Sequence, residues 1–254
     1  MEKILIAEES EIRAIELINK MRDELNQVFL ELAERTRELA ASHRQLQNTN
    51  EALLDALGSV VEFKSLESGE HIKRVKNYTR VLLTYVKSFY PKYDLTNDQI
   101  ELMSKAAALH DLGKIAIPDA ILDAPRRLTP EEFEEMKKHT IYGCQILEKF
   151  KFDETDFYQY CYDIIRWHHE KADGKGYPDG LTEENIPIYC QAVSIADCFD
   201  ALVSKRVYKD SMSCEEAFQM IKNGECGQFS ETIIRCFDMA KEKLFYIVES
   251  TSII

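Results

Sequence analysis

The chain has 254 residues, 45% of them hydrophobic, and a formal net charge of −13. That length can bury a substantial core, while the acidic balance argues against a surface that grips long nucleic acid and leaves room for a small anionic substrate wherever bound cations reverse the local field. No apolar run approaches the ~18 residues of a membrane span, the N-terminus does not read as a signal peptide, and seven cysteines without a CxxC spacing point to reduced thiols, so a cytoplasmic protein is expected.

In chain order, residues 3–10 are a short apolar run followed by Glu8 and Glu9. They resemble the opening strand and acidic pair of a response-regulator receiver domain, but no alternating strand and helix pattern follows, so no function is attached to them. The first glycine is Gly58 and the first proline is Pro91, so residues 9–57 contain no helix breaker. Ile18, Leu25, Leu32, Leu39, Leu46, Leu53 and Val60 repeat every seven residues, one seam of a coiled coil. The companion seam (Arg22, Phe29, Thr36, His43, Asn50, Leu57) is mostly polar, which weakens packing but fixes register. A dimerising or signalling segment over residues 1–57 is expected, pairing as a homodimer through residues 9–57. The competing reading is a long helix packed on its own domain.

From residue 58 to 254 the pattern predicts an all-α bundle. Apolar residues recur at helical spacing over 75–90, 100–109, 133–150, 157–167, 192–202 and 214–221. Pro118, Pro125 and Pro130 mark a loop, and Thr129 with Glu132 three residues on reads as a capping box. A second loop, residues 173–180, carries three glycines and Pro178.

The histidines are distributed unevenly. Of six, only His43 lies outside a constellation made by His71, His110, His139, His168 and His169 with Asp111 and Asp197. Imidazole and carboxylate together suit zinc, manganese or iron. Glu67 and His71 are four apart, on one face of a helix. His110 and Asp111 follow the apolar residues 106–109 and so enter a buried place, with Lys114 one turn away. Adjacent His168 and His169 would point about 100° apart on a helix, towards two metals, or towards one if the helix ends there. Asp197 and Asp200 interrupt an apolar helix, which packing alone explains poorly. Asp200 reads equally well as a ligand or as a structural partner.

These residues, in this order, strongly resemble the HD-GYP domain, a branch of the HD phosphohydrolase superfamily. The stretches that carry the likeness run from Glu67 to about Phe237. They include Glu67, His71 and Arg74; His110, Asp111, Gly113 and Lys114; Met136 and His139; and His168, His169 and Glu170. They continue through Asp173, Gly174, Gly176, Tyr177 and Pro178; Ile186 and Pro187; Asp197 and Asp200; and Arg206, Tyr208 and Lys209. The resemblance implies an HD-type helical bundle that hydrolyses cyclic di-GMP to pGpG and, in many members, onward to GMP, so that the final product stays open between the two. It implies two or three divalent ions, iron or manganese, held by Glu67, His71, His110, Asp111, His139, His168, His169 and Asp197. Asp111 would bridge two ions, and Glu67 would serve a third. It places Lys114, Tyr177, Arg206 and Lys209 against the substrate. A hydroxide bridging two ions would attack phosphorus while Lys114 and its neighbours neutralise phosphoryl charge.

Histidine ligands need acceptors that hold their tautomer, and Glu170 and Asp200 are the candidates. Three positions depart from the family pattern: the loop at Ala124, Pro125 and Arg126; Gln191; and Phe229, Ser230 and Glu231. They bear on substrate fit rather than on ligands. The alternatives are a phosphohydrolase acting on another nucleotide, such as a mixed cyclic dinucleotide, and a signalling module that binds without useful turnover.

Overall fold

The computed structural model describes residues 2–64, 70–150, 155–204 and 212–251, with side chains from residue 12 onward. Glu67, Arg206 and Lys209 lie outside the described residues. Among the described residues the structure is all-α, with no strand, as the hydrophobic periodicity predicts. The chain divides into two compact units, Met1–Ala52 and Leu53–Ile254.

The first unit consists of helix α1 (Glu2–Lys64), which continues beyond it. With neither glycine nor proline before Gly58, nothing stops the helix. Residues 3–10 belong to this helix and form no strand, so the likeness to a receiver domain has no structural counterpart. Ile18, Leu25, Leu32, Leu39 and Leu46 are all exposed along α1.

In the second unit, helices α2 (His71–Phe89) and α3 (Asn97–Ala106) are followed by two 3-10 turns, Ala107–Leu109 and Leu112–Ala116. The short α4 (Asp119–Leu122) sits within the proline-marked loop. Next come α5 (Pro130–Lys137), α6 (His139–Lys149) and α7 (Asp156–Trp167). The last three are α8 (Ile188–Val203), α9 (Cys214–Lys222) and α10 (Glu231–Thr251).

The starts of these helices are written locally. Thr96 with Gln99, Thr129 with Glu132, and Ser213 with Glu216 each close a reciprocal capping box. Periodicity predicted one helix over 133–150. The structure breaks it at Lys138, so that His139 opens a new helix, and the Met136 carbonyl at the break accepts from His139 Nδ1 at 2.8 Å. Helix α10 was not among the predicted elements.

Helix α2 packs against α8, α10 and α3, and α6 packs against α7 and the turn Leu112–Ala116. The core between them contains fully buried Tyr78, Phe199, Phe218 and Phe237. Each such ring contributes on the order of 2 kcal/mol of burial. The departures from the family pattern have local roles. Arg126 makes a bidentate pair with Glu132 at 2.6 and 2.7 Å, joining the proline loop to the α5 cap. Buried Ser230 accepts from Ile233 N at the start of α10, at 3.4 Å. Gln191 donates Nε2 to the Ile186 carbonyl at 3.0 Å.

Candidate metal centre

Five elements converge on one end of the bundle core. His71 is the first residue of α2 and His139 the first of α6. His168 follows the last residue of α7, with His169 next to it. His110 and Asp111 join the two 3-10 turns, and Asp197 lies within α8. All five histidines of the constellation are thereby brought together with both aspartates. Their ligand atoms form two groups: Asp111, His139, His168 and His169 in one, and His71, His110 and Asp197 in the other. Because α7 ends at Trp167, the adjacent pair His168 and His169 serves a single group.

Asp111 joins the two groups. Its Oδ1 lies 3.4 Å from His139 Nε2 and 3.8 Å from His168 Nε2. Its Oδ2 lies 3.2 Å from His110 Nε2 and 2.6 Å from the Lys114 ammonium.

The tautomers are set from outside the site. His110 Nδ1 bonds the Ala107 carbonyl at 2.9 Å, His139 Nδ1 that of Met136, and His168 Nδ1 that of Ile164 at 2.9 Å. His71 Nδ1 bonds Asp200 Oδ2 at 2.8 Å. Of the two acceptors weighed from sequence, Asp200 orients this imidazole, and it is held in turn by Arg74 at 2.6 and 2.9 Å. Glu170 has another task. Its carboxylate accepts three backbone N–H groups from the glycine loop, Asp179 at 2.7 Å, Gly180 at 3.0 Å and Leu181 at 2.8 Å.

With Nδ1 protons donated outward, the Nε2 lone pairs face inward. His139 Nε2 and His168 Nε2 face each other at 3.4 Å, and buried Asp111 Oδ1 accepts no hydrogen bond. Acceptors aimed at acceptors in a dry place are costly unless a cation lies among them. The donor set of nitrogen and carboxylate oxygen fits a divalent transition metal.

For the group of His139, His168 and His169 the electrostatics agree with this. Burial lowers His139, His168 and His169 below the ordinary imidazole range, the neutral form that ligates. Burial also opposes charge on His110, but Asp111 and Asp197 outweigh it and push this histidine up to about 9. Asp111 is held well below the usual carboxylate range, because Lys114 and His110 outweigh the cost of burial. The carboxylate therefore stays charged, with Lys114 and His110 against Oδ2 and the neutral imidazoles of His139 and His168 against Oδ1.

The glycine loop forms the rim. The Tyr177 ring stacks on His169 with centroids 4.6 Å apart, and Phe133 meets it edge-on at 6.3 Å. Burial pushes the Tyr177 phenol up, which keeps it a neutral donor. The loop depends on Glu170, so Glu170→Gln should leave one of its three N–H partners poorly paired. A stability loss of about 1–2 kcal/mol is expected, read by thermal unfolding of the metal-free protein. An unchanged Tm would mean the loop is held by other contacts.

The cysteines take no part. All seven are free, and burial raises Cys161 and Cys198, each to about 12, far from the reactive thiolate range. Sequence reasoning did not identify Glu62 or Lys64 as neighbours of this centre. An acid and a base ending a polar helix carry no sequence signal of what they contact.

Residues 67–229 match the HD domain family model. A cyclic di-GMP phosphodiesterase of Vibrio cholerae is 36% identical over 229 residues, 89% of this chain and 46% of that protein. A cyclic di-GMP phosphodiesterase of Thermotoga maritima is 37% identical over 185 residues, 73% of this chain and 48% of that protein. The 3'3'-cGAMP-specific phosphodiesterase 2 of Vibrio cholerae is 39% identical over 171 residues, 67% of this chain and 31% of that protein. The chain thus spans about half or less of the length of these relatives. The family model covers most of the chain and includes both histidine and aspartate groups, and on that ground the chain belongs to the HD domain family.

Proposed function

We propose that this protein is a metal-dependent phosphodiesterase that opens cyclic di-GMP to pGpG, with GMP as the alternative end product. The observation that carries this reading is the pair of histidine and aspartate groups sharing Asp111. Two or three divalent ions, iron or manganese, would supply Lewis acidity and an activated water when bound. Asp111, His110, His139, His168, His169, His71 and Asp197 would hold them, with Glu67 as an added ligand for a third. Lys114 places an ammonium beside the shared carboxylate, where it would neutralise charge growing on a phosphoryl oxygen. Tyr177 offers a ring face and a neutral hydroxyl at the rim, and Arg206 and Lys209 would add cationic contacts to the substrate. No protein nucleophile is required.

The relatives include phosphodiesterases named for 3'3'-cGAMP, and this favours a second reading in which the mixed cyclic dinucleotide is the better substrate. Groups that bind the phosphate cannot distinguish the two bases. The test is hydrolysis by protein purified anaerobically and supplied with Mn2+ or Fe2+, comparing cyclic di-GMP with 3'3'-cGAMP. Cleavage of neither by metal-loaded protein would refute both readings.

Glu67→Ala should remove about one ion per chain and leave the others in place, as expected for a single ligand of a dedicated third site. Unchanged metal content by mass spectrometry would exclude Glu67 as a ligand.

We also propose that residues 1–57 form a dimerising signal segment attached to a catalytic domain of residues 58–254. The support is a heptad seam whose side chains are exposed on α1. A chain lacking residues 1–52 should scatter as a monomer, with well under half the mass of the full-length dimer. An unchanged oligomeric state would count against the coiled coil.

A further inference from the structure

Helix α2 begins with a metal-facing residue, His71, yet its own start is poorly capped. Its N-cap residue, Glu70, makes no side-chain hydrogen bond to the helix, and the first turn contains no acid. Helix starts favour an acceptor and a negative charge at this point. Here the acceptor comes from another helix. Glu62, in the last turn of α1, accepts from the backbone N–H of Ile72 at 2.9 Å. Glu62 is only 4% exposed, an uncommon place for a carboxylate that contributes nothing. It also lines a small cavity together with His71, His110 and Asp111.

Other contacts pin the same stretch of α1 to the same two metal-bearing segments. Asp55 pairs with Lys76 of α2 at 2.6 Å. Gly58 lies so close that an added Cβ would fall 2.3 Å from Ile72 Cδ1 and 2.9 Å from the Ala108 carbonyl, two residues before His110. Lys64 donates to the Ile115 and Ile117 carbonyls at 2.8 and 2.9 Å, directly after Lys114. The end of α1 therefore grips the start of α2 on one side and the turn behind His110, Asp111 and Lys114 on the other.

We propose that Glu62 is a positioning residue for the metal centre. By capping α2 it fixes the His71 imidazole, so that the register of α1 sets how tightly the group of His71, His110 and Asp197 holds its ion. Asp200 fixes the rotation of the ring through Nδ1, and Glu62 fixes the backbone that carries it. This rests on the reading of the two groups as a metal centre, and not on the identity of the substrate. An input that shifts α1 along its axis would thereby reach the centre through Glu62.

The test compares Glu62→Asp and Glu62→Gln in the full chain. Glutamine keeps an acceptor oxygen at the same reach and loses the charge. Aspartate keeps the charge and withdraws the acceptor by about 1.5 Å, one carbon–carbon bond. Mn2+ titration of the metal-free protein is the primary readout. The aspartate variant should bind one ion roughly 10- to 100-fold more weakly, with the remaining ions unaffected. Its kcat should fall while KM stays near the wild-type value. The glutamine variant should match the wild type in both.

The reverse order, tight binding with aspartate and weak binding with glutamine, would overturn the proposal, because charge and not position would then be what matters. Equal losses in both, or wild-type binding in both, would overturn it too. Should Glu62→Asp fail to fold, Gly58→Ala moves α1 off Ile72 with Glu62 intact, and the same single ion should weaken. Wild-type Mn2+ affinity in that variant would count against the clamp. If the wild type binds Mn2+ yet cleaves no cyclic dinucleotide, the substrate reading fails and the titration still decides the role of Glu62.

Discussion

Asp111→Ala should lose bound metal and the proposed phosphodiesterase activity together, and it is expected to be the most damaging single change in the centre. Among the described residues, Asp111 is the one whose two carboxylate oxygens face both groups, Oδ1 towards His139 and His168, Oδ2 towards His110. Removing it leaves the three neutral histidines of one group without an anion and cuts the link between the groups. It also leaves Lys114, now 2.6 Å from Oδ2, as a cation facing the ligands. A drop in kcat of roughly 10^3-fold or more is expected, since activated water and phosphoryl charge stabilisation are lost together. Metal content per chain should fall in parallel by mass spectrometry. Asp111→Asn preserves the shape and one acceptor oxygen, so it should retain part of the metal and little of the activity. Full activity in the alanine variant would eliminate Asp111 as the shared ligand, and with it the proposed division of the centre.

The parts of this architecture that depend on local pattern were readable in the sequence. The capping box at Thr129 and Glu132, the unbroken helix before Gly58 and the bundle helices other than α10 follow from spacing and propensity. The clustering of five histidines was legible because so few histidines occur elsewhere. The break at Lys138 was not, because apolar spacing runs through it. It lets His139 start a helix with its ring turned onto the Met136 carbonyl. The division of labour between Glu170 and Asp200 was hidden for a different reason. Both are buried acids beside histidines, and only tertiary contact sends one to three loop amides and the other to His71 and Arg74. The contacts of Glu62 and Lys64 span ten and more than fifty residues of sequence, beyond the reach of any local pattern.

Gly113→Ala should disrupt the centre without touching a ligand, and the reason is steric. Gly113 lies where the turn Leu112–Ala116 meets α6. A Cβ there would sit 1.8 Å from the His139 carbonyl and 2.5 Å from Gly143 N. Both are backbone atoms, so no side chain can swing away, and the two segments must separate. Overpacking of this kind costs about 1–3 kcal/mol, which for a domain of this size lowers Tm by roughly 3–10 °C. The larger effect falls on function. The turn begins just after Asp111 and α6 begins at His139, so the contact at Gly113 sets the 3.4 Å between Asp111 Oδ1 and His139 Nε2. A displacement of about 1 Å at such a centre can cost on the order of 10^2-fold in rate. Gly143→Ala is the informative control. Its Cβ would meet the end of a side chain, Ile165 Cγ2 at 2.5 Å, and Gly113 N only at 3.1 Å. Ile165 is β-branched and fully buried in α7, so this clash strains the packing of α6 on α7 rather than the turn after Asp111, and stability should fall while metal binding largely survives. If Gly113→Ala keeps wild-type metal content and turnover, the distance between Asp111 and His139 is set elsewhere. If both alanine variants lose metal equally, the whole face of α6 and not the glycine contact holds the centre together.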